Sequence, residues 1–383
     1  MKKWHIYHLF SENIQNSLST SKTIILNKQR FIEKLTDIIN TDSLNLIKEK
    51  TLFLKYVVNN YERDNEGILN IDSDDGETIS LRKDILIDEL DQILKSQTIE
   101  RAKYYLKRLK ESIQKVKTNK INDINLTRWK EYDEIITDSL WIFDKRDTSG
   151  AHLGWYWGNF IPQIPRQLML RYTKKGDWVL DPFVGSGTTL IECRRLGRNG
   201  IGIELNSEVA QKARFLVNKE ENKYGVITDI VVGDSTELNF KKLLKEKGIE
   251  KVQLLIMHPP YHDIIKFSNN PRDLSNCKSV EEFLEMFRKV VENTFDILEN
   301  GRYMALVMGD KYSNGEWIPL GFYTMHEVLK VGYKLKSIVV KNFEETRGKR
   351  NQKELWRYRA LVGGFYVFKH EYIFLFRKTY KLE

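Results

Sequence analysis

The chain has 383 residues, 41% hydrophobic and 30% charged, and its 62 Lys and Arg against 53 Asp and Glu give a formal net charge of +9. That length predicts one catalytic-sized domain with a smaller appendage, and the positive balance favours a polyanionic partner such as nucleic acid. Two cysteines far apart, Cys193 and Cys277, offer neither a disulfide framework nor a paired-cysteine metal site, so no metal is expected and a reducing compartment fits.

The amino terminus, MKKWHIYHLF, has a basic start, but its short apolar stretch carries His5 and His8 and makes a poor signal peptide. No uncharged apolar run is long enough to span a bilayer, so the expectation is a cytoplasmic protein without a membrane partner. Residues 1–125 read as a mostly helical domain, polar and rich in Lys, Asn and Ile. Within it, Ala102, Tyr105, Leu106, Leu109, Ile113 and Val116 recur at helical spacing opposite Lys103, Lys107, Lys110 and Lys117. That pattern predicts a basic amphipathic helix, suited to DNA recognition or to oligomerisation. Before it, IDSDDGETIS reads as an acidic turn or hairpin tip.

The texture changes near residue 150, and the second domain is set at 126–383. Short β-rich apolar runs alternate there with amphipathic segments, which predicts an α/β domain with a parallel sheet covered by helices. The seven candidate strands are Trp178–Phe183, Gly200–Leu205, Ile227–Gly233, Leu254–Met257, Tyr303–Met308, Leu335–Lys341 and Tyr372–Arg377. Helices are expected at Pro162–Tyr172, Gly187–Leu196, Ser207–Glu221, Val280–Leu298 and Leu320–Val331. A basic insertion without a convincing helix, at 342–366, includes TRGKRNQKELWRYR.

Chemistry concentrates in two places. VLDPFVGSGTTLIECRRLGRNGIGIELN is a strand, a Gly-rich turn, a helix and a second strand ending in an acid. Gly185 and Gly187 allow a tight turn and close approach of a nucleotide-like ligand, and Glu204 is placed to accept from a ribose diol. The dinucleotide pattern GxGxxG and the GxxxxGK[ST] phosphate loop are both absent. The other place is LLIMHPPYHDIIKFS, an apolar strand running into His258, Pro259, Pro260 and Tyr261.

Together these motifs resemble the amino-methyltransferase family of DNA modification enzymes, over roughly residues 150–380. Asp181, Pro182, Phe183, Gly185, Ser186, Gly187, Thr188 and Thr189 supply every letter of the family's DPFxGSGTT cofactor motif. The resemblance implies a Rossmann-like seven-stranded methyltransferase sheet with helices on both faces. It also implies a cradle for S-adenosylmethionine, whose product is S-adenosylhomocysteine. Glu204 and Leu205 would lie at the ribose, Asp234 and Ser235 of VVGDSTEL at the adenine, and Gln163, Ile164 and Pro165 in the segment closing over the methionine end. The family carries Asp, Asn or Ser before Pro-Pro-Tyr or Pro-Pro-Phe, and this chain carries His258.

In the implied mechanism, acceptors at the two hydrogens of a base amino group draw the nitrogen toward tetrahedral geometry. One would be the His258 ring, which can accept only while neutral, and the other the carbonyl of Pro259. Tyr261 would stack on a base flipped out of double-stranded DNA. An imidazole titrates near neutrality, so activity is expected to fall as pH is lowered. The target would be N6 of adenine, slightly favoured because the Ser typical of cytosine enzymes is missing, or N4 of cytosine.

The basic residues Arg347, Lys349, Arg350, Arg357 and Arg359, and separately Lys103, Lys107 and Lys110, are the candidate DNA contacts. In the run Trp155, Tyr156 and Trp157, most rings are expected in the core. The resemblance points further to restriction-modification or phage defence, with a cognate restriction endonuclease as partner and a monomer or dimer as the assembly. Two other readings stay open: an RNA base amino-methyltransferase, and a nucleic-acid-binding module without catalysis.

Overall fold

The computed structural model describes residues 23–60, 68, 76–342 and 353–379. The chain separates into two compact units, residues 1–118 with 124–133, and residues 119–123 with 134–383.

The first unit mixes helices with a small sheet. Strand β1 (Thr23–Asn27) pairs antiparallel with β2 (Thr78–Arg82), so part of the predicted acidic turn is a strand. Helices α1 (Lys28–Ile39), α2 (Leu44–Asn60), α3 (Lys83–Leu94) and α4 (Ile99–Gln114) complete it. The predicted amphipathic helix is α4, which buries Ala102, Leu106, Leu109 and Ile113 in one core with Phe31, Leu35, Leu54 and Leu90. Thr98 caps its amino end through its hydroxyl to Arg101 N, satisfying one of the orphan amides there.

The second unit is built on an eight-stranded sheet. Its strands are β3 (Leu140–Trp141), β4 (Trp178–Asp181), β5 (Asn199–Glu204), β6 (Thr228–Val232), β7 (Val252–Met257), β8 (Leu298–Met308), β11 (Tyr333–Asn342) and β12 (His370–Lys378). The short hairpin β9 (Lys311–Ser313) and β10 (Glu316–Ile318) stands apart from it. The order across the sheet is β3-β11-β12-β8-β7-β4-β5-β6. It is mixed rather than wholly parallel, because β12 runs antiparallel to both β8 and β11. The two-residue edge strand β3 is an eighth strand, too short to show a sequence period.

Helices α5 (Gln163–Tyr172), α6 (Thr188–Leu196), α7 (Ser207–Lys219), α9 (Val280–Phe295) and α10 (Leu320–Val331) lie where the pattern predicts, and α8 (Phe240–Glu246) and α11 (Lys353–Gly363) are additional. The described part of the basic insertion therefore does contain a helix. Central strands are buried on both faces, as in a covered sheet. Along β8, Met304, Leu306 and Met308 join one core with Phe283 and Phe287 of α9, while Ala305 and Val307 join the other with Leu168 and Met169 of α5. Each fully buried Phe on α9 is worth about 1.5–3 kcal/mol relative to exposure.

Gly187 is where the loop after β4 becomes α6. Its φ is +85°, and a Cβ there would stand 2.8 Å from Cγ2 of Val217 on α7. Both the backbone conformation and the α6–α7 packing demand glycine. Gly187→Ala should lower the unfolding free energy by about 1–3 kcal/mol in urea denaturation, and an unchanged midpoint would show that α6 moves without cost.

Candidate active site

The acids and the loop of the cofactor motif sit at the ends of neighbouring strands. Asp181 closes β4 and Glu204 closes β5, and register pairs Asp181 with Gly202. Asp181 is fully buried. Its Oδ1 accepts from Phe183 N at 2.9 Å and its Oδ2 from Thr189 Oγ1 at 2.5 Å. The carboxylate thus ties both ends of the Gly-rich turn together and, being fully buried, presents no surface to the cleft. Gly185 takes φ +48°, and a Cβ there would come 3.0 Å from the ring of Tyr156.

A cleft opens beside this loop, lined by Pro182, Phe183, Gly185, Ser186, Thr188, Glu204, Leu205, Asp234 and Ser235, and by Tyr156, Phe267 and Asp273. Burial raises the Glu204 carboxyl, opposed by the Asn206 amide that it accepts at 2.9 Å. Asp234 Oδ1 accepts from Thr236 N and Oγ1 at 2.9 and 2.7 Å, which leaves its Oδ2 without a partner among the described residues.

Asp181, Gly187 and Thr189 do not line the cleft, and neither do Gln163, Ile164 and Pro165. Gln163 is committed to Lys145 O at 2.6 Å and Asp147 N at 3.1 Å, while Ile164 and Pro165 are buried on α5. Of the three consecutive aromatics, Tyr156 lines the cleft and stacks on Phe267 with centroids 5.5 Å apart. Trp157 is 59% exposed, a departure from the core placement expected of these rings.

A second, larger cleft of about 1260 Å³ is lined by Pro260, Tyr261, Gly309, Lys311, Tyr312, Trp356, Phe365 and Glu371. It exceeds an ordinary small-molecule site of ~300–1,000 Å³. The two clefts share the wall formed by Tyr156, Gly158, Asn159, Phe160, His258, Pro259, Pro260 and Phe267. His258 follows directly on β7, and the two prolines fix the backbone as it leaves the sheet.

Burial pushes the His258 imidazole down to about 4; Glu371 opposes this and Lys341 adds to it. The expected charge change near neutrality therefore moves to the acid side; the residue is partly buried, its ring packed edge-on against Phe160 and Tyr261 while it borders both clefts. His258 Nε2 lies 3.3 Å from Tyr261 Oη, and Tyr261 Oη donates to Glu371 Oε2 at 3.0 Å. The carbonyl of Pro259 accepts no hydrogen bond from the described residues.

The candidate DNA contacts divide. Arg347, Lys349 and Arg350 lie outside the described residues, whereas Arg357 and Arg359 are exposed on α11, with Arg359 over the ring of Trp356. On α4, Lys103 is paired with Asp42 at 2.9 Å, Lys107 is exposed and Lys110 partly so. Among the described residues, Asp147, His152 and Glu192 are close enough together to hold a metal ion. The Arg195 guanidinium already stands 3.2 Å from Asp147 and 3.4 Å from Glu192, so the cluster has its cation.

Sheet order, acid-tipped strands and a Gly-rich turn give an α/β domain with two adjoining clefts at the carboxyl rim of its parallel strands. The chain belongs to the DNA methylase family, whose model matches residues 5–247 and 252–382 and so extends beyond the stretch that carries the motifs. It is 26% identical over 182 residues to the type II methyltransferase M.MjaII of Methanocaldococcus jannaschii, covering 46% of this chain and 28% of that protein. It is 30% identical over 140 residues to a tRNA (guanine(10)-N2)-dimethyltransferase of the same organism, covering 36% of each. With type II methyltransferase M2.DpnII of Streptococcus pneumoniae it shares 52% identity over 54 residues, 14% of this chain and 20% of that one. The matches thus span about a fifth to a third of these relatives' own length. A solved methyltransferase from Pyrococcus furiosus aligns with 16% identity and a TM-score of 0.36, covering 58% of this chain and 84% of that one.

Burial pushes the Asp181 carboxyl up to about 7, with the bonds from Thr189 and Phe183 N pulling the other way. Its folded pKa is above the unfolded value of ~3.9, so its contribution to stability is full below about pH 4 and is lost as pH rises through about 7. Asp181→Asn removes that loss. Urea denaturation at about pH 5 and pH 8 should show the wild type losing on the order of 2–4 kcal/mol relative to the variant, and parallel pH curves would place the carboxyl pKa near its ordinary value.

Proposed function

We propose that this chain is an S-adenosylmethionine-dependent DNA methyltransferase that acts on an exocyclic amino group, N6 of adenine in preference to N4 of cytosine. The observation that carries the reading is the shared wall of the two clefts, where His258 and Pro259 border both. The first cleft suits the cofactor: acids at Glu204 and Asp234 and apolar walls from Phe183, Leu205 and Ile203 match a ribose, an amino group and a flat ring. When bound, S-adenosylmethionine supplies an electrophilic methyl group on a sulfonium.

The protein's part is positional. Pro259 O and the neutral His258 ring are acceptors for the two hydrogens of the target amino group, preorganised by the prolines so that no reorganisation accompanies transfer. Tyr156, Phe160, Tyr261 and Phe267 give the junction aromatic surfaces on which a flipped base can stack. The duplex is met by α11, whose Arg357, Tyr358 and Arg359 are exposed and whose Trp356 lines the larger cleft. Methylation of RNA is the second reading, favoured by the likeness to the tRNA dimethyltransferase. A restriction-modification role with a cognate endonuclease is proposed on the type II relatives.

Radiolabelled cofactor offered with separate DNA and RNA pools, followed by base analysis, tests the reading. Label in N6-methyladenine of DNA is expected, and label confined to RNA, or none, overturns it. Glu204→Ala and Asp234→Ala should each weaken cofactor binding on the order of tenfold in calorimetry, as befits loss of a ~1.5 kcal/mol charged hydrogen bond.

With the His258 pKa at about 4, single-turnover methyl transfer should be flat from about pH 6 upward and fall only as pH drops toward that value. His258→Ala should lower the rate ~10²-fold or more while His258→Asn retains part of it, and a wild-type rate in the alanine variant removes His258 from the mechanism. Replacing Arg357 and Arg359 by Ala should reduce the log-log salt slope of DNA affinity by ~0.9 for each phosphate that is no longer neutralised; an unchanged slope takes α11 off the duplex.

A further inference from the structure

On the wall of the larger cleft stands a buried ion pair that the cofactor and catalytic motifs do not include. Lys341 on β11 and Glu371 on β12 face each other in the antiparallel ladder, both buried, with Lys341 Nζ 3.0 Å from Glu371 Oε1. A buried ion pair costs desolvation that its attraction barely returns, and apolar residues of similar volume often serve stability as well or better. Its position suggests another purpose. Glu371 Oε2 receives the Tyr261 hydroxyl, and that same hydroxyl oxygen lies 3.3 Å from His258 Nε2. Gly309 makes room for this arrangement, since a Cβ there would come 2.7 Å from the Tyr261 ring.

We infer that the Lys341–Glu371 pair, acting through the Tyr261 hydroxyl, fixes which ring nitrogen of His258 carries the proton and leaves Nδ1 as the bare acceptor. The argument is one of proton counting. Burial alone would raise the Glu371 carboxyl, but Lys341 and its hydrogen bonds hold it below the ordinary range, so it is an anion and can only accept. Burial and Glu371 keep the Tyr261 phenol protonated. Its single proton goes to Glu371, so its oxygen can only accept from His258 Nε2–H. A neutral imidazole with a proton on Nε2 has none on Nδ1, and Nδ1 has no partner among the described residues. Phe160, packed edge-on against the ring with centroids 5.0 Å apart, offers no competing proton. Lys341, Glu371 and Tyr261 Oη are thus positioning groups for the acceptor.

The inference rests on the reading of His258 as the acceptor for a target amino group, but it can be tested apart from that reading. The full chain labelled with ¹⁵N-histidine reports each ring nitrogen as protonated or bare. With 7 His in the chain, the His258 signals are the ones missing from His258→Asn. At neutral pH the wild type should show Nε2 protonated and Nδ1 bare. Glu371→Gln can donate its amide to Tyr261 and turn the hydroxyl toward Nε2, so it should show a mixed or inverted pattern. Its single-turnover rate should fall on the order of tenfold or more, as when an imidazole is held in the wrong tautomer, with cofactor affinity changed less than about twofold. Tyr261→Phe, which removes only the hydroxyl, should also lose the pure pattern and serves if Glu371→Gln fails to fold. A wild-type Nδ1–H, or an unaltered pattern in both variants, overturns the inference. Absence of methyl transfer from every nucleic acid overturns the functional reading instead, and the nitrogen signals still decide the relay.

Discussion

Parallel pairing of β4, β5 and β7 is the constraint on which the rest of the site depends. Once Leu180 is opposite Leu255 and Asp181 opposite Gly202, the three strands must end along one edge, and the residues next in the chain are delivered there. Those residues are the Gly-rich turn after β4, Glu204 at the tip of β5 and His258 after β7. Segments far apart in the chain meet because the carboxyl ends of parallel strands form a common rim. The antiparallel β12 extends the same logic from the other direction: because it runs the opposite way, its first residues, including Glu371, arrive at the rim where β7 and β8 finish.

The two acids of the cofactor motif then divide the work by burial. Asp181, fully withdrawn from water, spends both oxygens on Phe183 N and Thr189 Oγ1 and shapes the turn. Glu204, like Asp234 after β6, remains on the cleft wall. A similar division separates the groups around His258. The ring and Pro259 border both clefts, while Tyr261, Glu371 and Lys341 line the larger one and bond to one another. Turning the Tyr261 hydroxyl toward His258 would leave Glu371 Oε2 without that donor, a cost that favours the arrangement inferred above.

Much of this was legible in sequence because the relevant physics is local. A Gly-rich turn between a strand and a helix, an acid at a strand tip and prolines after an apolar run are each written in a few consecutive residues, and the seven principal strands are visible in their β-rich runs. The illegible part depends on pairing across the sheet. The antiparallel sense of β12 leaves no trace in its own HEYIFLFRK, and the two-residue β3 carries no period at all. The alignment of Lys341 with Glu371 needs the β11–β12 register. Tyr156 could be seen only as one of three adjacent aromatics, and its place on the cleft depends on Gly185 and Phe267.

The same distinction explains why His258 behaves differently in the fold than its sequence neighbours suggest. From those neighbours alone, it is a histidine with an ordinary titration, and the departure from Asp, Asn or Ser looks like a weakness that acid would expose. In the folded chain the acceptor role proposed for it draws on the three-dimensional surroundings: burial lowers the ring's pKa to about 4, and Tyr261 Oη, bonded to Glu371, stands beside Nε2. An oxygen acceptor needs no such support, since a carboxylate or amide oxygen presents lone pairs in any protonation state relevant near neutrality. A histidine acting as the acceptor proposed here therefore draws on a charge-compensated pair beside it, and Lys341 with Glu371 supplies one.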